Sequence, residues 1–279
     1  MLSTRILTAL VVIPLVLAAL FLLPPRAWGA MTLAAAVAAG IEWAYLAGYQ
    51  KQAWLMFVAG VLLIGINLLF SPSSEFARGW PDGIVLAVCA PATFFWLLVA
   101  PFWLRGQWKP TSRLGIAVVG WLVLIAAWVA VVELQARSPW LALALMAIVW
   151  IADTAAYFSG RAFGKHKLAP SISPGKTWEG VYGALAAVAV YALALVPFAR
   201  SAGYTGEIST LVVVGWVALA LVLVALSVIG DLFESLLKRQ AGVKDSGKLF
   251  PGHGGALDRF DGLLAAMPPA ALAALVFLH

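Results

Sequence analysis

The chain is predicted to be an all-α polytopic membrane protein with about nine transmembrane helices. Three observations predict this. Only 11% of the 279 residues are charged and 63% are hydrophobic, whereas a soluble domain carries about 25% charged residues. The apolar runs reach the length, about 20 residues, that a helix needs to cross a bilayer. They are also continuously apolar, without the short polar-in alternation of a membrane β-barrel.

The elements follow in order. The expected spans are roughly 6–23, 27–48, 52–70, 83–104, 114–134, 138–158, 180–198, 208–230 and 262–278. The first resembles a signal peptide, with Arg5 ahead of an apolar core. Its run is long, Pro24-Pro25-Arg26 follows it, and further spans come after, so it is expected to remain as an uncleaved helix. The loop 71–82 is the longest early one. Two polar loops, about 161–179 and 231–261, come later. This gradient divides the chain into an N-terminal transmembrane scaffold, 1–137, and a C-terminal catalytic region, 138–279. Trp28, Trp80, Trp103, Trp108, Trp140 and Trp178 fall near span ends, where interfacial belts are expected.

Charge gives the orientation. With the N-terminus in the cytoplasm, the inner segments hold 14 of 18 basic residues, and the outer loops hold only Arg26, Arg78, Arg137 and Arg200. That matches the positive-inside bias. The net charge of +6 then reads as attraction to anionic membrane lipids, not to nucleic acid. The single cysteine, Cys89, allows no intramolecular disulfide.

Chemistry is concentrated in 235–261, which holds five of the basic residues and three of the twelve acids. Asp258 and Asp261 are three apart, so a helix would place both carboxylates on one face, about 5–6 Å between Cβ atoms. Two carboxylates that close invite a cation, and Mg²⁺ takes few carboxylates while leaving positions for phosphate oxygens. Asp231, after Gly230, could close the same site from the neighbouring helix; pairing of all three acids with Arg259, Lys238 and Arg239 is the plainer alternative. Lys238, Arg239, Lys244 and Lys248 read as a group as phosphate clamps, and singly as ordinary inner-face charge. Gly252-His253-Gly254-Gly255 could bring backbone N–H groups to phosphate, or form only a turn.

The other loop carries Lys165, His166, Lys167 and Lys176. Its Ser173-Pro174-Gly175-Lys176-Thr177 resembles a small anion-binding loop, but it is not a Walker A motif, because Pro170 stands where glycine is required. Glu179 could bind substrate or complement a helix dipole. Asp153 sits inside the sixth span, where an ionisable residue marks a functional candidate.

The run Ser235-x-x-Lys238-Arg239-x4-Lys244-Asp245-x-Gly247-x3-Pro251-x-His253-Gly254-Gly255-x-x-Asp258-Arg259-x-Asp261 closely resembles the signature of the phosphatidate cytidylyltransferases, or CDP-diacylglycerol synthases. The segments Gly160-Arg161-x-Phe163-Gly164-Lys165-His166-Lys167-Leu168-Ala169-Pro170 and Ser173 to Gly180 look like that family too. The motifs cover about 150–262. One departure is Ala256, where a bulkier aliphatic residue is usual; no polar group is lost by it. The resemblance implies CTP and phosphatidic acid as substrates and CDP-diacylglycerol and pyrophosphate as products. It also implies Mg²⁺ as cofactor, a monovalent cation such as K⁺ beside it, a homodimer, and an inner-membrane location with the active site facing the cytoplasm.

On this basis the metal ligands expected are Asp231, Asp258 and Asp261. Lys238, Arg239, Lys244, Asp245, His253 and Arg259 are expected to act in catalysis. Asp153, Lys167, Ser173, Lys176, Thr177, Glu179, Gly254 and Gly255 are expected to bind substrate. Two rivals fit less well. A CDP-alcohol phosphotransferase needs Ala-Arg after an Asp-Gly pair, and neither Asp82-Gly83 nor Asp261-Gly262 supplies it. An ion-coupled transporter usually shows internal repeats and a midplane site.

Overall fold

A computed structural model of the chain describes residues 2–71, 79–109, 112–200, 204–249 and 254–277. It is a helical bundle: α1 (Leu2–Leu22), α2 (Pro25–Leu46), α3 (Lys51–Leu69), α4 (Asp82–Phe94), α5 (Ala100–Gly106), α6 (Arg113–Arg137), α7 (Pro139–Phe163), α8 (Trp178–Leu195), α9 (Thr210–Gln240) and α10 (Leu257–Phe277). A π-helical turn, Phe95–Val99, joins α4 to α5, so the two make one span. Pro101 lies just beyond this turn; it lacks an N–H, and local widening of the helix keeps neighbouring carbonyls bonded. Among the described residues eight helical segments are long and apolar enough to cross a membrane. The expected span 6–23 falls in α1.

Local sequence sets where the helices begin. Ser112, Ser138, Thr177 and Ser209 each accept the N–H three residues on, at Gly115, Leu141, Gly180 and Val212. Such caps are worth about 1 kcal/mol each. Near the C-terminal end of α6, fully buried Glu133 accepts the Trp80 N–H at 2.6 Å and the Arg137 Nε–H at 2.5 Å. Arg137 also reaches Asp82 at 3.4 Å. The end of α6 is thereby fixed to the start of α4.

Three expectations change. First, α9 does not end at Gly230 but continues to Gln240, and α10 starts at Leu257 instead of 262. The polar residues 231–240 form one face of an amphipathic extension whose other face, Leu232, Phe233, Leu236 and Leu237, is buried. Gly230 serves close packing here: a Cβ at that position would run into the Asp261 carbonyl oxygen of α10. Second, the loop 161–179 holds an antiparallel hairpin, β1 (Lys167–Ala169) and β2 (Ser173–Thr177), with Lys167 opposite Thr177 and Ala169 opposite Ser173. Third, Trp28 and Trp80 are buried in the bundle, and Trp103 packs on Phe233 with ring centroids 5.4 Å apart; Trp108, Trp140 and Trp178 are exposed.

Phe233 is the centre of an aromatic core that also holds Trp43, Phe95 and Trp96, at centroid distances of 6.4, 5.5 and 5.5 Å. Helices from both halves of the chain meet there. α10 likewise packs against α9, α6 and α4, so the C-terminal helices are built into the N-terminal ones.

Candidate active site

The polar residues gather at the hairpin end of the bundle, where α7, α9 and α10 converge. Asp153 lies on α7, Asp231 on α9 and Asp261 on α10. Asp153 and Asp261 each lie within electrostatic reach of Asp231, with Lys176 close to both. Lys176, on β2, pairs with Asp231 at 2.6 Å. Arg259 also neighbours Asp153. Ser235, one turn beyond Asp231, donates to its Oδ1 at 3.3 Å. The Asp153 side of the cleft is open, while Asp231 and Asp261 are half-buried.

A second set lies one turn away. Lys238 Nζ bridges Glu234 at 2.5 Å and Asp258 at 2.6 Å. The other Asp258 oxygen accepts the Ser246 N–H at 3.0 Å, the Ser246 hydroxyl at 3.0 Å and the Gly255 N–H at 2.8 Å. The i, i+3 pair is therefore split between two environments: Asp258 is held by donors on both oxygens, and Asp261 faces other acids. Gly254, just before α10, takes a φ of 85°.

The remaining expected residues fall into place around these sets. Arg239 is exposed, and its Nε–H donates to the Ile172 carbonyl at 3.3 Å, which fixes the hairpin turn to α9. The Thr177 hydroxyl caps α8. Glu179 accepts the His166 backbone N–H and approaches His166 Nδ1 at 2.6 Å. Ser173 is half-buried on β2, and Lys167, Lys244 and Asp245 are exposed. His253 lies outside the described residues. Beside the hairpin, a groove of ≈ 600 Å³ is lined by Lys165, His166, Lys167, Trp178, Glu179 and Tyr182. Trp178 and Tyr182 are exposed there next to the cations.

Three buried acids escaped the reading of the sequence: Glu133, described above, and two at this end of the bundle. Glu234, buried on α9, pairs with Lys238. Glu42, on α2 and 7% exposed, accepts the Ala256 and Leu257 N–H groups at 2.9 and 2.8 Å and lies 2.8 Å from the Ser246 hydroxyl. One signal was available for Glu42: it is an ionisable residue inside an apolar span, about one turn from the C-terminal end of α2.

Among the described residues no three His, Cys, Asp or Glu side chains already sit at metal-holding distance. The donor chemistry still fits a hard divalent ion. Asp153, Asp231 and Asp261 present three carboxylates around one lysine ammonium, and oxygen ligands are what such ions take.

The profile of the Cytidylyltransferase family matches residues 3–277 of this chain. A Pseudomonas aeruginosa protein named phosphatidate cytidylyltransferase is 41% identical over 96% of this chain and 95% of its own length. Proteins of the same name from Haemophilus influenzae and Brucella suis are 37% and 36% identical, over 96% and 84% of this chain and 96% and 79% of their own lengths.

Proposed function

Because the chain belongs to the cytidylyltransferase family, we propose that it transfers the cytidylyl group of CTP to phosphatidic acid at the cleft between α7, α9 and α10. The observation that carries this reading is the meeting of three acids and Lys176 at one end of a bundle of apolar helices, beside a cationic groove with exposed aromatics. A nucleotide can approach such a cleft from water, and a lipid can approach it sideways from the leaflet. Lys165 and Lys167 in the groove have the charge to receive a lipid phosphate, while Trp178 and Tyr182 suit the interface.

In the reaction, a phosphatidate phosphate oxygen forms a bond to the α-phosphorus of CTP. The bond from that phosphorus to the bridging oxygen breaks, and its electron pair leaves on pyrophosphate. A phosphate nucleophile is already ionised at neutral pH, so positioning and charge neutralisation dominate. Lys176 and Arg259 have the charge to bind phosphate oxygens at the cleft, and Arg239 and Lys244 would add to it. Lys238, held by Glu234 and Asp258, keeps α9 and α10 in register.

Asp231 and Asp261 would hold Mg²⁺, with Asp258 completing the set by giving up part of its present hydrogen bonding. When bound, the ion supplies positive charge to the triphosphate. A K⁺ ion beside it, a homodimeric assembly, and a bacterial inner-membrane location with the cleft on the cytoplasmic side belong to the same proposal; the bias of basic residues toward the hairpin end supports the last.

The test is pyrophosphate release by the purified protein with CTP, phosphatidic acid and Mg²⁺. Release that stops when either substrate is left out is the expected result. Release without phosphatidic acid, or none with all three present, contradicts the reading.

A further inference from the structure

Glu42 is a buried carboxylate whose described hydrogen bonds come from two backbone N–H groups and one hydroxyl, with no lysine or arginine among them. Removing a charge from water costs several kcal/mol unless donors replace the water. Here they do. The Ala256 and Leu257 N–H groups are orphan donors at the start of α10, and the positive end of its dipole adds to them. The cap comes from 214 and 215 residues away in sequence. Four other helices of this chain use a local Ser or Thr instead. A helix that needed only a cap could have used the same device.

What the long-range cap adds is a connection. The Ser246 hydroxyl lies 2.8 Å from Glu42 Oε2 and 3.0 Å from Asp258 Oδ2. Its single hydrogen is shared between two carboxylates. Asp258 in turn holds Lys238, and Lys238 holds Glu234. Glu42, Ser246, Asp258, Lys238 and Glu234 thus form one continuous chain from α2 through Ser246 to α10 and α9. Gly255 leaves the room it needs, since a Cβ there would strike both Glu42 carboxylate oxygens and the Ser246 hydroxyl. Asp261 lies one turn along α10 from Asp258, on the same rigid element.

We propose that Glu42 is a positioning residue for cytidylyl transfer: it fixes the height and rotation of the first turn of α10, and so places Asp258 and Asp261 relative to Asp231. This rests on the activity proposed above. Glu42 reaches no part of the Asp153, Asp231 and Asp261 cleft directly, so it acts through helix placement. Displacing a reacting group by about 1 Å can cost about 100-fold in rate, and loss of a supporting hydrogen bond to a metal-site residue about 10–100-fold.

The experiment compares kcat and KM for CTP and phosphatidic acid in wild type, Glu42→Gln, Ser246→Ala and the double variant, with thermal unfolding measured on each. Glu42→Gln keeps the shape but turns one acceptor into a donor facing the backbone N–H groups. It should lower kcat by about 10–100-fold with both KM values little changed. Ser246→Ala keeps Glu42 and its two backbone bonds, and should lower kcat by a smaller factor. The double variant should fall little below Glu42→Gln alone, because both changes cut one chain. Wild-type kcat in folded Glu42→Gln, or losses that multiply in the double variant, would overturn the proposal. If Glu42→Gln yields no folded protein, Ser246→Ala decides, and normal kcat there overturns it. A wild-type protein that does not turn over CTP and phosphatidic acid would count instead against the activity itself.

Discussion

At the scale of residues, charge in an oily chain is the readable signal. Asp153, Asp231, Asp258, Asp261 and Lys176 are few enough that their clustering could be anticipated, and the structure brings four of them to one cleft, with Asp258 turned toward Lys238 one turn away. Glu42 was not readable as part of this site, because its partners lie more than 200 positions away and nothing local marks them. Lys238 illustrates how strongly the acids depend on their cation. Its side chain is 12% exposed, between Glu234 and Asp258 at 5% and 7%. Lys238→Met would leave both acids buried and short of their partner, a loss of about 3–5 kcal/mol. Thermal unfolding of the detergent-solubilised variant should show a clear drop in midpoint. A midpoint equal to wild type would mean that the bridge contributes nothing to the fold.

At the scale of elements, the spans were legible and their ends were not. Periodicity-free apolar runs locate a membrane helix well, but they cannot show that residues 231–240 continue α9 as an amphipathic extension. Gly230 looked like a break because glycine weakens helices; only the packed partner, the Asp261 carbonyl of α10, explains it. The hairpin was hidden for a different reason. Two strands of three and five residues are too short to show a period of two. Gly230→Ala is the direct probe of the α9–α10 contact. It should reduce both thermal stability and turnover, because the added methyl group meets backbone, which has little freedom to give way. Unchanged stability and activity would show that the two helices separate without consequence.

At the scale of the whole molecule, the parts of the chain expected as scaffold and as catalytic region pack against each other. The N-terminal α2 caps the C-terminal α10, and Trp43, Phe95 and Trp96 surround Phe233 of α9. The scaffold therefore sets the site. Orientation is a separate property of the whole chain, carried by the placement of its basic residues. Lys165 and Lys244 are both exposed at the hairpin end, and Cys89 is buried. With Cys89→Ala as background, Lys165→Cys and Lys244→Cys should resist membrane-impermeant thiol reagents in intact cells and react after permeabilisation. Labelling of either from outside would reverse the orientation and remove the cytoplasmic supply of CTP from the cleft.

The cleft between α7, α9 and α10 stands or falls most directly on Asp261, which faces Asp231 and Asp153 and keeps its surroundings when its charge alone is removed. The measurement is pyrophosphate release from CTP and phosphatidic acid by purified Asp261→Asn across a Mg²⁺ titration, with thermal unfolding in parallel. The expected result is a folded protein whose turnover is lower by orders of magnitude at every Mg²⁺ concentration. Turnover close to wild type with an unchanged Mg²⁺ dependence would contradict the assignment of this cleft as the place where the cytidylyl group is transferred.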